Sequence, residues 1–461
     1  MSDDASVKVV EASHVEEPAK AKEEEKKPSA AAAAAAAAPE KKKETTGKSQ
    51  GKSGKSGKGK NGKGKSGGKK PQKGGSGGGA GGAAGSSKGA AAAKPVAHGP
   101  ETPVRALFPD GHFPVGQRLE YEQPLNLWRR ESEEQRQREK VQEDQYESLR
   151  EAAEAHRIVR QWAKGWIKPG MRMIDIADTI ETSLRKTVAA DGTKRGIAFP
   201  TGLSLNHVAA HYTPNAGDTR VLQKSDVMKV DIGLQVNGWI IDSAFTMAFD
   251  PVFDPLLETV REATNAGVKA AGIDVRLCEI GEAVEEVMTA GELTLGHRTH
   301  HIVPVRNLMG HSLGMYTIHA GKSVPICKGW GDTTTKMEEG DLFAIETFGS
   351  TGHGLVHDDM ETSHYMKAPT MPPTGIRGGP KAQELYAHIN KNYSTLAFAR
   401  RWLDQAGITR YAIALKSLVD CGAVNPYPPL VDCDGSYVAQ FEHTIALKPT
   451  GKEVFSRGDD Y

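Results

Sequence analysis

Cysteine is scarce in this chain: the four present, Cys278, Cys327, Cys421 and Cys433, have neither the close pairing of a zinc site nor the density of a disulfide framework. That usage argues against a disulfide-stapled fold and fits a reducing cytosol, so a cytoplasmic location is expected. Long apolar runs are missing too. No window approaches the roughly eighteen apolar residues of a membrane span, and the acidic N-terminal stretch has no apolar signal core, so neither spanning nor secretion is expected. Large hydrophobic residues are almost absent from residues 1–94. There a mixed stretch, Glu23-Glu24-Glu25-Lys26-Lys27, gives way to the alanines Ala30 to Ala38 and then to a Lys/Gly/Ser tract. Such a segment cannot offset its ordering entropy by burial, and residues 1–100 are expected to form a disordered, low-complexity tail.

A net charge of either sign is also nearly lacking, at +1 overall, but the balance hides an asymmetry. Residues 41–94 hold fifteen lysines against the single Glu44, whereas residues 1–40 carry a net −4 and residues 95–461 a net −9. A flexible arm of +14 is a handle for polyanions, with RNA or the ribosome as the natural partner and a mere solubilising role as the plain alternative. No aromatic residue interleaves these lysines to stack on bases. Residues Gly59 to Ser66 fit the phosphate-loop pattern GxxxxGK[ST], yet without a preceding strand or a following helix the match excludes itself.

Order is expected from about residue 101. A helix-rich stretch runs from about Leu125 to Gly165 and is stopped by Lys168-Pro169-Gly170, with a second amphipathic helix over Met173 to Val188. Further helices are expected over about Leu256 to Ala271 and Ile280 to Met288. From about Lys367 to Val431 the pattern turns helical again, for instance Thr395 to Leu403 and Tyr411 to Val419, which reads as an inserted subdomain.

Acids then recur inside apolar strands. Asp231 and Asp242 lie on two strand-like runs with Asn237-Gly238 midway, a pair that accepts positive φ at both central positions of a tight hairpin turn. In that register Asp231 faces Ala244 and Gly233 faces Asp242, so both carboxylates fall on one face as diagonal neighbours, roughly 7–8 Å apart. The hairpin alone leaves two readings equally open, a shared cation or one turn-capping and one solvated aspartate. Glu346, in Leu342 to Phe348, and Glu442, in Tyr437 to Ala446, repeat the pattern, and His311 sits between Gly310 and Gly314. Four strand-borne acids and one imidazole suggest an inward cluster whose oxygen-rich donors favour Mn, Fe, Co or Zn. Other histidine and acid groupings carry less. His297, His300 and His301 fall in a polar connection, and in His357-Asp358-Asp359 neighbours on a strand point to opposite faces.

The segments Ala209-Ala210-His211-Tyr212-Thr213-Pro214-Asn215, Lys229 to Gly233, Gly310-His311-Ser312, Ile345 to Gly349, Gln440-Phe441-Glu442-His443 and Ser456 to Tyr461 resemble those of the type 2 methionine aminopeptidases. The resemblance implies an α/β (α+β) pita-bread fold: a pseudo-two-fold, curved antiparallel sheet backed by helices, with a helical insertion at 367–431 inside a metallo-aminopeptidase domain at 101–461. It implies two divalent metal ions, Asp231 on one, His311 and Glu346 on the other, Asp242 and Glu442 bridging. It implies catalytic roles for His211, His319 and Glu346, and a methionine pocket bounded by Phe199, Ile318, His364 and Tyr427. The expected activity is cotranslational hydrolytic removal of the initiator methionine from nascent chains with a small, uncharged second residue, through a metal-activated water. An Xaa-Pro peptidase of the same fold, and a catalytically silent relative that binds RNA or ribosomes, are the competing readings. The five candidate ligands all being present argues against the silent one.

Overall fold

The computed structural model describes residues 98–372 and 375–461, and the acidic, polyalanine and lysine-rich stretches expected to be disordered lie outside the described residues up to residue 97. After short elements at Val104–Leu107, Gln117–Leu119, Pro124–Glu131 and Glu133–Val141 come two long helices. Helix α1 (Glu143–Trp166) places Leu149, Ala152, Ala153, His156, Val159, Arg160 and Ala163 at helical spacing on a buried face, with Glu143 and Asp144 in its first turn, where acids complement the helix dipole. Helix α2 (Met173–Thr187) follows, matching the expected amphipathic stretch to within a residue. They pack on a three-stranded antiparallel sheet of β1 (Arg195–Leu205), β2 (Val227–Val236) and β3 (Trp239–Ala248). The β2–β3 hairpin has the register expected from its turn: Asp231 pairs with Ala244 and Gly233 with Asp242. Asn237 and Gly238 both take positive φ, at 53° and 86°.

The second half repeats the plan. Helices α3 (Asp254–Ala270) and α4 (Leu277–Thr289) back a sheet whose centre is β4 (Met309–Leu313) and β5 (Leu342–Ser350). After the inserted segment the chain returns to that sheet in β9 (Val438–Leu447) and β10 (Lys452–Val454), with β5 between β4 and β9. Buried Lys452 donates to the carbonyls of Val268, Lys269 and Ala271 (2.7, 2.5 and 2.6 Å), satisfying backbone acceptors that the end of α3 leaves open. Two antiparallel sheets, each backed by a helix pair, make the pita-bread arrangement.

The two sheets are joined by side chains. Along the seam between β3 and β9, Thr444 Oγ1 accepts from the Asp242 N–H at 2.8 Å and lies 2.7 Å from the Asp242 carbonyl. Thr246 Oγ1 spans the Gln440 N–H and carbonyl in the same way, both at 2.7 Å, and Ser243 Oγ donates to the Glu442 carbonyl at 2.8 Å. Behind the seam Tyr461 bonds Ser243 through its hydroxyl and stacks on His443, while the guanidinium of Arg160 sits over its ring at 4.3 Å.

Within the second half, residues after β5 form a small sheet with helices of its own: β6 (His364–Lys367), α5 (Gly379–Asn392), β7 (Ala397–Ala399), α6 (Arg400–Gln405), α7 (Ala412–Asp420) and β8 (Val424–Tyr427). Residues 395–403, expected to be helical, are split. Ala397–Ala399 is a strand and helix begins only at Arg400, because the 397–399 backbone is taken up by the ladder to His364–Met366. Leu385, Ile389, Phe398, Leu403, Leu415 and Leu418 give this part a hydrophobic core of its own. Buried Arg401 ties it to the first half. Its guanidinium pairs with Glu181 and Asp178 on α2 and donates to Thr213 Oγ1 at 2.6 Å, while Trp402 donates to the other Glu181 oxygen at 2.6 Å.

Arg401→Leu takes the nearest cation from the buried Glu181 and leaves it only Arg185 at 3.6 Å, a class of loss worth up to about 3–5 kcal/mol. The denaturation midpoint should fall accordingly, and a midpoint within error of the parent would contradict the assignment of this pair as the tie.

Candidate metal centre and pocket

The hairpin and the second sheet bring their acids to one place. Glu346 on β5 pairs directly across from Glu442 on β9, and His311 on β4 pairs with Ala344, two residues from Glu346 on the same face. Asp242 and Glu442 stand on the two strands that the hydroxyl seam joins, so the seam sets their separation. Ligand atoms of Asp242, His311 and Glu442 all lie within 4.8 Å of one another. His311 Nε2 is 3.6 Å from Asp242 Oδ2 and 3.8 Å from Glu346 Oε1. Asp231 completes the ring from the hairpin's other strand, and all five residues line one cavity of about 100 Å³.

Above this polar floor the walls are largely apolar. Phe199 comes from β1 and lies against Gly233, where a Cβ would meet its ring at 2.2 Å, so the absent side chain at 233 makes room for the ring. Leu308, Ile318 and Phe348 contribute further apolar surface, and the small sheet supplies His364, Met366, Ala397 and Tyr427. The segment after β4 turns at Gly314–Thr317 and returns to Ser312, which accepts from the Ala320 N–H at 2.8 Å and donates to the Lys322 carbonyl at 2.9 Å. That fold-back sets His319 edge-on to His311, centroids 4.5 Å apart. His211 follows the strand segment Val208–Ala210 and stands 5.8 Å from the Tyr427 ring and 6.1 Å from that of His364. All eleven residues singled out in the sequence, namely Phe199, His211, Asp231, Asp242, His311, Ile318, His319, Glu346, His364, Tyr427 and Glu442, therefore border the same cavity.

Electrostatics separates floor from walls. Burial drives every floor carboxyl upward, and acidic neighbours add to it at Glu346, Asp242 and Glu442: Asp231 goes to about 7, Glu346 to about 8, Asp242 and Glu442 well above their usual range. Burial acts oppositely on the imidazoles, taking His211 and His319 down to about 4 and His364 to about 3, so all three are neutral at pH 7. Oδ1 of Asp231 and Oε2 of Glu442 are buried without a hydrogen-bond partner among the described residues. Orphaned carboxylate oxygens, close-set like charges and an imidazole aimed between them fit a divalent cation of the Mn, Fe, Co or Zn kind.

Gln440, which sequence reasoning passed over, belongs to the same floor. Its amide donates to Glu346 Oε2 at 3.2 Å and also bonds Asp231, orienting two acids from different sheets. The signal was available: Gln440 lies two residues before Glu442 on a strand, hence on the same face. Of the groupings set aside, His301 pairs with Glu292 at 3.1 Å in an exposed hairpin, and His357–Asp358 forms a short exposed strand.

Comparison with known proteins agrees with this geometry. Residues 147–415 match metallopeptidase family M24. The chain is 54% identical over 362 residues to methionine aminopeptidase 2A of Arabidopsis thaliana, covering 78% of this chain and 81% of that protein. It is equally 54% identical over 362 residues to methionine aminopeptidase 2 of Schizosaccharomyces pombe, covering 78% and 84%. Among solved structures, a thermophilic Arx1 superposes with a TM-score of 0.56 at 18% identity, over 67% of this chain and 89% of that one, a likeness of fold alone. The chain belongs to metallopeptidase family M24, and its resemblance to the type 2 methionine aminopeptidases extends over most of its length. Divalent metal use comes with that family. No helix among the described residues is long and apolar enough to cross a membrane.

Two outcomes follow from the floor. Without metal, the folded chain holds protons on Asp231 and Glu346 that an unfolded chain, with carboxyls titrating near 4, has already lost. Stability of the chelated protein should therefore fall as pH rises from about 6.5 to about 8, above the range in which the buried imidazoles act in the opposite sense, and adding a divalent cation at pH 7 should raise Tm and release protons. A flat Tm across that interval, with no proton release on titration by Mn²⁺, would contradict the site. Removing the Gln440 amide by Gln440→Ala should weaken metal retention or turnover by about 10–100-fold, the usual effect of losing a group that orients a ligand. Dialysis against graded chelator, followed by metal analysis, reads this directly.

Proposed function

We propose that this protein is a methionine aminopeptidase that removes the initiator methionine from nascent chains whose second residue is small and uncharged. The observation that carries the reading is the meeting, in one cavity, of an acid floor with two neutral histidines and an apolar wall. The family and the curated relatives named above support it.

In this reading Asp231, Asp242, His311, Glu346 and Glu442 would hold two divalent ions in the floor. When bound, such ions act as Lewis acids and make water nucleophilic at neutral pH. The chain's own residues do the rest. The α-amine of a free N-terminus needs an anionic or metal partner, which this floor supplies, so a free N-terminus is drawn to it and an internal peptide is not. Glu346 accepts the proton that water gives up and returns it to the departing amine. His319 offers an N–H donor to the carbonyl oxygen of the scissile amide as negative charge develops there, and His211, whose ring also bonds the Pro428 carbonyl, hydrogen-bonds the substrate beside it. Because both rings are uncharged at neutral pH, they do so without repelling the substrate's amino group. Phe199, Ile318, His364 and Tyr427 enclose the side chain, and an unbranched thioether fills such a slot with little rotameric cost.

The substrates are then nascent polypeptide N-termini in the cytoplasm. The fifteen lysines of residues 41–94 supply a polyanion-binding arm suited to the ribosome or the initiation machinery.

A panel of Met-Gly, Met-Ala, Met-Leu and Ala-Pro peptides separates this reading from an Xaa-Pro peptidase. Methionine should be released from the first two, far more slowly from the third, and Ala-Pro left intact. Asp231→Asn should lower turnover by more than about hundredfold, since loss of an outer partner alone costs up to that much. Equal turnover by that variant, or cleavage confined to Ala-Pro, would refute the proposal.

A further inference from the structure

Ser363, immediately before β6, is fully buried, and its hydroxyl has three polar neighbours: the Thr213 N–H at 3.3 Å, the His211 carbonyl at 3.4 Å and His364 Nδ1 at 3.1 Å. A hydroxyl has one hydrogen to give. The far edge of the imidazole decides where that hydrogen goes. His364 Nε2 lies 3.3 Å from the Pro200 carbonyl oxygen, which can only accept; the His211 carbonyl also reaches the ring, but the Pro200 contact is the one with full hydrogen-bond geometry, so the ring hydrogen is on Nε2. The ring is neutral, held down to about 3 by burial and by His211 beside it, which leaves Nδ1 bare. Ser363 therefore donates to Nδ1 and accepts from the Thr213 N–H.

That second bond bears on another pocket residue. His211 has φ of 63°, the left-handed region, which a residue other than glycine keeps only where its surroundings over-determine it. The chain just after it is fixed at each step. The Tyr212 carbonyl accepts from the Leu203 N–H at 2.7 Å, the Thr213 N–H goes to Ser363, and Arg401 donates to Thr213 Oγ1 at 2.6 Å.

We infer that Ser363 is a positioning residue for the pocket: one hydroxyl fixes the tautomer and tilt of the His364 ring and pins the turn that aims His211 at the floor. This rests on the reading of the pocket given above. A corollary concerns recognition. Both nitrogens of His364 are engaged by the protein, so His364 meets a bound side chain with its ring and offers it no hydrogen bond.

The test uses the metal-loaded enzyme and two variants. Ser363→Ala removes the hydroxyl and leaves a small void, whereas Ser363→Cys keeps the volume and loses most of the hydrogen bonding. Both should retain the parent's metal content while kcat/KM on a Met-Ala peptide falls tenfold or more. In ¹⁵N-labelled protein the His364 signals should change from a pure Nε2–H tautomer to a mixture. Recovery of Ser363→Cys to within twofold of the parent would mean that the void alone mattered and would overturn the inference. Metal content falling in step with activity, or an unchanged His364 tautomer in both variants, would overturn it as well. A parent that releases no methionine from Met-Ala refutes the pocket reading, whereas an active parent with equally active variants refutes the role of Ser363 alone.

Discussion

Four carboxyl groups closed into one water-poor cavity cannot all carry charge without something positive among them. The rest of the molecule can be understood from that constraint. Desolvation raises the cost of each charge, and each neighbour raises it further, so the floor binds protons or cations and is never left bare. The histidines around it answer to the opposite pressure. Buried and facing one another, they lose their charge first, which keeps cationic imidazoles from competing for the floor.

Holding those acids in place takes more than one sheet. Asp231 and Asp242 share a hairpin and Glu346 and Glu442 share a strand pair, each set fixed by backbone ladders. Between the sets, side-chain hydroxyls do the work that a ladder does elsewhere. Thr444, Thr246 and Ser243 bind backbone groups across the β3–β9 seam, and the aromatic packing of Tyr461 closes it from behind. Gln440 adds a direct strut, bonding one acid from each half.

The hairpin was legible in the sequence because an Asn-Gly turn fixes register, and register fixes which side chains share a face. The helices were legible from apolar spacing, as the near coincidence at 173–187 shows. Less legible was whatever depends on partners distant in sequence. Residues 397–399 carry small and aromatic side chains compatible with a helix, and only the strand at 364–367 makes them extended. Gln440 looked like an ordinary polar strand residue, since nothing local reveals that an acid from another sheet reaches its amide. Ser363 gave no signal at all, because its importance lies in three groups contributed by two separate stretches of chain. For His211, Phe199 and Tyr427 periodicity could not tell core from cavity, and the family motif suggested what composition could not.

The small sheet that supplies His364, Met366, Ala397 and Tyr427 has a hydrophobic nucleus separate from the one beneath the acids. Cooperative opening follows nuclei of this sort rather than whole chains. Loosening around Leu385, Phe398 and Leu418 would thus let the cavity's upper rim breathe while the acidic basin keeps its shape. Entry and exit of a long polypeptide can then run on one clock and bond cleavage on another.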